Sequence, residues 1–139
     1  MSADLQSVAD RLDIDALISR YAFHLDDRDF EALKGLFVPS ARMDYSAQGG
    51  PAGERDEIVP WLDETVSGFP MSQHVIANRL IEVDGDEATA RSYLYNPMGL
   101  PDGRTTFLGT GYRDRFVRTS DGWRFAERVI GEVLWSEGW

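Results

Sequence analysis

MSQHVIANRLIEVDGDEATARSYLYNPMGLPDGRTTFLGTGYRDRFVRTSDGWRFAERVIGEVLW, residues 71–135, carries three Asp-Gly pairs, Asp84-Gly85, Asp102-Gly103 and Asp121-Gly122. They separate four stretches with β-strand texture, roughly 72–83, 87–97, 104–118 and 122–135. Asp-Gly supplies the positive φ angles of tight hairpin turns, so three such pairs between four runs predict an antiparallel meander. The runs do not alternate cleanly between apolar and polar. In the first, Val75, Ala77, Ile81 and Val83 share one face while His74, Ile76, Asn78 and Leu80 share the other. A sheet with one wet face reads more cleanly. Both faces are therefore expected to be covered, one by helices and the other by a second copy of the chain or a short C-terminal wrap.

Upstream the period changes. Val8, Leu12, Ile14, Leu17, Ile18, Tyr21, Ala22 and Leu25 recur at steps of three and four, which predicts an amphipathic helix from about residue 5 to 27, capped by Ser2 or Asp4. Asp29 caps a second helix predicted over Phe30 to Phe37, stopped by Pro39. Ala41 to Ser46 reads as a short strand, and Gln48-Gly49-Gly50-Pro51 as a loop. A third helix is predicted over Glu54 to Val66, kinked or delayed by Pro60 and ended by Gly68 and Pro70. Helices followed by consecutive strands indicate an α+β fold, with the helices on one face of a curved sheet.

Composition narrows the function classes. With 139 residues, 42% of them hydrophobic and sixteen aromatic, the chain is long enough for one domain with a real core and an apolar interior or pocket. Its net charge of −10 argues against unassisted binding to nucleic acid or anionic membrane, which need basic patches. Zero cysteines exclude disulfides, thiolate catalysis and cysteine-ligated metals. Met1-Ser2-Ala3-Asp4-Leu5 lacks the basic start and apolar stretch of a signal peptide, and no apolar run reaches membrane-spanning length. A cytoplasmic protein is expected.

Only imidazole, carboxylate and phenol groups are left for chemistry. His74 and Asp26 are the best acid–base candidates. An imidazole titrates near neutral pH and can take a proton beside a carbonyl and return it to a leaving hydroxyl. A carboxylate on its other nitrogen would fix the tautomer. The alternative makes His74 a hydrogen-bonded sheet residue and Asp26 a helix end, and Asp27 is the fallback partner. Asn78 shares the His74 face and, unfavourable in mid-strand, either binds a ligand or bonds neighbouring backbone. In the second strand Arg91, Tyr93 and Tyr95 oppose Ser92 and Leu94, and the inward set is open. Arg128 and Glu132 read as a cross-strand ion pair. Trp61 and Phe69, with Asn78 and Ser92, are candidate substrate contacts. His24 flanks the helical stripe and, far from His74 in sequence, is weak evidence for a metal site.

Arg20-Tyr21-Ala22 with Leu25-Asp26, Phe30-Glu31-Ala32-Leu33 with Leu36-Phe37, and Ala41-Arg42-Met43-Asp44-Tyr45 precede Ser72-Gln73-His74 with Asn78, Asp84-Gly85-Asp86, and Asp121-Gly122-Trp123-Arg124-Phe125. In this order and spacing they resemble the NTF2-like superfamily, in particular its SnoaL-like branch, which includes scytalone dehydratase and bile-acid 7α-dehydratase. The resemblance implies an NTF2-like cone over residues 1–139, with N-terminal helices packed on a strongly curved antiparallel sheet that encloses one cavity. It supports architecture more strongly than activity. It also implies an Asp–His pair at Asp26 and His74, and cavity tyrosines at Tyr21 and Tyr45 that hold a substrate oxygen or a bound water. A phenol aimed at a carbonyl oxygen would stabilise a developing enolate. The bland alternative is a core tyrosine bonded to backbone. Two departures matter. Ketosteroid isomerase, another relative, has its general-base Asp where this chain has Tyr45, and the adjacent Asp44 would face the other way. Scytalone dehydratase has a second cavity histidine on the next strand, matching a position near Ser92.

The expected activity is a cofactor-free elimination of water or proton relocation beside a carbonyl, on a small hydrophobic, cyclic or polyketide-like molecule. His74 would be the general acid/base, Asp26 its orienting partner, and Tyr21 and Tyr45 the oxygen donors. The rival reading is a ligand-binding module or a structural partner subunit like the β-subunits of ring-hydroxylating dioxygenases. A weaker one is an epoxide hydrolase with a water held by Asp26 and Asn78. A homo-oligomer, dimer or trimer through the sheet, is expected, with no metal, nucleic acid or membrane partner.

Overall fold

Asp4 opens helix α1 (Leu5–Asp26) by accepting the Ser7 amide on its side chain at 2.7 Å in the computed structural model, which describes residues 4–138. Ser2, the other expected cap, lies outside the described residues. The stripe that α1 buries is Asp10, Ile14, Leu17, Ile18, Tyr21, Ala22 and Leu25. It is rotated at its start from the expected one: Val8 and Leu12 face outward, and Asp10 takes the inward position. Asp10 is tolerated there because Arg118 donates two hydrogen bonds to its carboxylate and Trp123 Nε1 a third.

Asp29 caps α2 (Phe30–Lys34) by accepting from the Ala32 amide. The helix stops at Lys34, short of the expected Phe37. The Phe125 amide donates to the Leu36 carbonyl and draws the chain into the sheet as β1 (Phe37–Asp44). Pro39 therefore lies in a strand, where the pairing is irregular between Phe37 and Arg42 and no ladder donor is needed. After β1 come a single 3₁₀ turn (Ser46–Gln48), β2 (Ala52–Glu54) and α3 (Arg55–Val66). Pro60 sits inside α3 on its exposed side, and the helix runs on through it.

The remaining strands are β3 (Met71–Ser72), β4 (Val75–Asp84), β5 (Glu87–Gly99), β6 (Thr105–Thr119), β7 (Gly122–Ile130) and β8 (Trp135–Glu137). Gly85, Gly103 and Gly122 all have positive φ, as the Asp-Gly turns require. The sheet order is β2-β1-β7-β6-β5-β3, with β4 also on β5 and β8 on β6. From β4 to β7 the meander is antiparallel, but β1 pairs with β7 in parallel. The expected antiparallel sheet is thus a mixed one. Helices pack against a strongly curled half-barrel, the α+β cone that the resemblance implies.

Inside the curl, Phe125 stacks on Phe37 at 4.7 Å and meets Phe116 at 4.7 Å, beneath the α1 stripe. On β5 the inward residues are Ala88, Ala90, Ser92, Leu94 and Asn96, while Arg91, Tyr93 and Tyr95 point outward. Arg128 does not pair with Glu132. Its guanidinium is buried inside the curl, with Nε and Nη2 donating to Asp114 at 2.8 and 2.9 Å. The outer sheet face is partly covered by the C-terminal segment. The Trp135 ring fills the space that a Cβ on Gly109 would take and meets Tyr95. Leu80, Tyr93 and Leu134 remain exposed on the outside. Among the described residues no helix is long and apolar enough to cross a membrane.

Candidate active site

Ser72 pairs with Met98 and Val75 with Tyr95, so the register runs unbroken through Gln73–Pro97 and His74–Asn96. Gln73 donates its amide to the Pro97 carbonyl at 2.9 Å, but Pro97 has no N–H to return. The ladder lapses there and splits β3 from β4. The next pair, His74 and Asn96, is of the non-hydrogen-bonded kind, in which side chains come closest and amides point away from the partner strand. The His74 amide accordingly points off the sheet edge, where the end of α1 passes. It donates to Asp26 Oδ2 at 2.8 Å.

The same carboxylate meets the imidazole. His74 Nδ1 lies 2.6 Å from Asp26 Oδ1, which also accepts from Ser72 Oγ at 3.0 Å. An ionised carboxylate only accepts, so Nδ1 carries a proton, and in the neutral ring Nε2 presents its lone pair. Asn96 Nδ2, 3.4 Å from Nε2, agrees with that tautomer. Arg28 braces the assembly. Its Nη1 donates to Ser72 Oγ at 2.9 Å and its Nη2 to the Phe69 carbonyl at 2.7 Å. To reach them, Arg28 adopts a left-handed backbone with φ of 61°. Asp27 caps the helix end, exposed and outside the pair.

His74 and Asn96 open onto a cavity of about 210 Å³. Its wall is mainly apolar, from Leu25, Leu62, Val66, Leu94, Met98 and Ile130 among others, with Trp61 and Phe69 as its aromatic members on α3 and just beyond. Tyr21, Tyr45 and Tyr112 also line it, and the Tyr21 and Tyr45 hydroxyls are 2.5 Å apart. Burial pushes the Tyr45 and Tyr112 phenols well above the ordinary tyrosine range. Burial raises Tyr21 too, with the charge of Arg128 partly offsetting it. All three are neutral hydrogen-bond donors at neutral pH. Asp26 stands behind His74 and lines a second pocket, of about 330 Å³, instead of this cavity.

Six of the eight expected site residues are thus assembled: His74, Asp26, Tyr21, Tyr45, Trp61 and Phe69. Two are not. Asn78 is exposed on the outside, in a β-bulge between Ile76 and Arg79, and the bulge explains its place in a strand. The water-holding pair of Asp26 and Asn78 is therefore not formed. Ser92 is buried beside the core without lining the cavity. Asp44 accepts from Ser46 on an outer loop, away from the cavity. Arg28, Asn96 and Tyr112 escaped the sequence reading, and Ser72 entered it only as part of the Ser72-Gln73-His74 piece, without a role. Asn96 alone had a signal, since it continues the small or apolar even positions of β5. His24 is half-buried on α1, and no group of three His, Asp or Glu side chains suited to a metal ion occurs among the described residues.

The SnoaL-like domain family matches residues 6–129. Rv2910c, an uncharacterized protein of Mycobacterium tuberculosis, is 40% identical over 124 residues, spanning 88% of this chain and 84% of its own. A Novosphingobium aromaticivorans protein provisionally named scytalone dehydratase superposes with a TM-score of 0.85 at 25% identity, over 95% of this chain and 89% of its own. An NTF2-like protein with a cystatin-like fold from the same organism gives 0.80 at 27% identity, over 96% and 92%. Matched along most of its length, the chain belongs to the SnoaL-like domain family.

Proposed function

We propose that this protein is a cofactor-independent dehydratase, moving a proton beside the carbonyl of a small hydrophobic cyclic or polyketide-like molecule. The observation that carries this reading is the 2.6 Å contact that holds the His74 Nδ1 proton on Asp26 and leaves Nε2 as a base facing an apolar cavity. The Tyr21–Tyr45 pair donates to the substrate carbonyl oxygen as negative charge gathers on it. His74 Nε2 takes the proton from the carbon beside the carbonyl, and Asp26 stabilises the imidazolium. The imidazolium then protonates the leaving hydroxyl, the C–O bond breaks, and water departs from the conjugated ketone.

Asn96 favours elimination over simple isomerisation. Its Nδ2 stands 3.4 Å from Nε2, and its Oδ1 is buried with no hydrogen-bond partner among the described residues, an acceptor left over for a substrate hydroxyl near the base. The likeness to a neighbour provisionally named scytalone dehydratase points the same way. A dry cavity of ~150 Å³ can hold benzene. The present 210 Å³ therefore suits one or two fused rings. The exposed Leu80, Tyr93 and Leu134 on the outer sheet face support a homo-oligomer through the sheet.

The test is a panel of mono- and bicyclic β-hydroxy ketones, followed by the absorbance of the conjugated product. His74→Ala should lower turnover roughly 10²–10⁴-fold, the range of general acid–base catalysis, while the variant stays folded. A folded variant with wild-type turnover contradicts the assignment. Binding of the ketones without turnover by the wild-type protein favours the ligand-binding module.

A further inference from the structure

The acid–base pair leaves one buried charge without a task. Arg128 on β7 is fully buried, and its Asp114 partner occupies the Nε and Nη2 edge of the guanidinium. Nη1 has no hydrogen-bond partner among the described residues. Aromatic rings take the rest of the surroundings. Cζ lies 3.7 Å from the Tyr112 ring centre, 4.1 Å from that of Tyr21 and 4.8 Å from that of Phe125. Tyr112 and Tyr21 are cavity residues, and the Tyr21 hydroxyl is bonded to that of Tyr45. A buried ion pair can often be replaced by apolar residues without loss of stability. Packing alone gives no reason for a cation at this place.

We propose that Arg128 is a positioning residue of the candidate site: acting through the Tyr21 and Tyr112 rings, its charge strengthens the Tyr21–Tyr45 phenols as donors to a substrate oxygen that is gaining negative charge. The inference rests on the reading that these phenols hold such an oxygen. A cation against a ring draws electron density from it and makes its hydroxyl a better donor. In a water-poor interior that charge also acts directly on an anion in the cavity, at a lower effective dielectric than in water. Asp114 neutralises the pair as a whole, yet it binds the guanidinium edge and leaves the positive end against the rings.

The experiment uses 2-naphthol, whose anion mimics an enolate in size and charge, and naphthalene, which lacks the oxygen. Affinities for both are measured across pH with the full chain. The wild-type protein should prefer naphtholate to naphthalene. In Asp114→Leu/Arg128→Met, which removes the ion pair together, that preference should fall about tenfold or more while naphthalene affinity holds. Arg128→Lys should keep most of it. Should the double variant not fold, Asp114→Asn/Arg128→Gln, which keeps polar partners and removes both charges, carries the same comparison. An unchanged ratio in a folded variant overturns the proposal, as does a wild-type protein with no preference for naphtholate. Failure of β-hydroxy ketone turnover with the ratio change intact would sink the dehydratase reading and leave this one standing.

Discussion

Asp26→Asn should move a proton from one side of the His74 ring to the other. In the wild-type site the carboxylate faces three donors: the His74 amide at 2.8 Å, Ser72 Oγ at 3.0 Å and His74 Nδ1 at 2.6 Å. An asparagine has one acceptor and one two-proton donor. The His74 amide cannot turn, so it claims the carboxamide oxygen. The new NH2 then faces Nδ1 and Ser72 Oγ, and Nδ1 must become an acceptor. The ring proton shifts to Nε2, the nitrogen beside Asn96, where it occupies the lone pair needed for proton abstraction. Three charge-assisted bonds become neutral ones, each weaker by about 1 kcal/mol, for a cost of about 3 kcal/mol in all. The Asp26 side chain is one-fifth exposed, which sets that figure as an upper value. Long-range ¹H–¹⁵N correlation on histidine-labelled protein reads the tautomer directly, with His24 as a reference in the same spectrum, and a thermal melt reads the stability. A variant still protonated on Nδ1, or a wild-type protein already protonated on Nε2, refutes the reasoning.

Three further outcomes follow from the packing. The Asp10 carboxylate is held far below its ordinary range by Arg118, with the Trp123 indole N–H helping. Its stabilising effect is complete above the unfolded carboxylate value of about 3.9 and is lost as the pH falls toward the depressed folded value. Asp10→Asn should therefore lower stability at neutral pH and flatten the acid limb of a stability-against-pH curve; a limb as steep as wild type would contradict this. Phe125→Ala opens the stack between Phe37 and Phe116 and should cost about 3–5 kcal/mol in chemical denaturation. Gly50→Ala places a methyl within 2.8 Å of the Trp61 ring and 3.0 Å of Tyr45 Cβ. Naphthalene affinity should drop as Trp61 is pushed into the cavity, and an unchanged affinity would mean that the ring yields outward.

The parts of the fold legible in the sequence were those set by local chemistry. The Asp-Gly pairs announced their turns because only certain residues take positive φ cheaply, and Gly85, Gly103 and Gly122 do so. What failed was decided at long range. Leu36 and Phe37 continue the helical period of Phe30 and Leu33, yet Phe125, distant in sequence, donates to the Leu36 carbonyl and the chain enters the sheet from Phe37 on. Nothing local marks β1 as parallel to β7. The outward set of β5 was hidden because Tyr93 and Tyr95 look like core while Ser92 and Asn96 do not. Only the unbroken register of Ser72–Met98 and Val75–Tyr95 puts Asn96 opposite His74. Arg128 read as the cross-strand partner of Glu132, and nothing local marked Asp114; that the two pair with each other in the interior shows only in three dimensions. The six assembled site residues lie on α1, the Tyr45 turn, α3 and the segment after it, and just before β4, and their convergence follows from the curl of the sheet.

Proton abstraction by His74 can be measured without a known substrate. A bicyclic ketone with no leaving hydroxyl, such as 2-tetralone, is incubated in D2O with the wild-type protein and with His74→Gln, and loss of the protons beside the carbonyl is followed by NMR. The wild-type protein should accelerate exchange over buffer, and His74→Gln should lose roughly 10²–10⁴-fold of that acceleration. A wild-type protein that binds the ketone yet exchanges it no faster than buffer, or a folded His74→Gln variant that exchanges it equally fast, would contradict the assignment of His74 as the base.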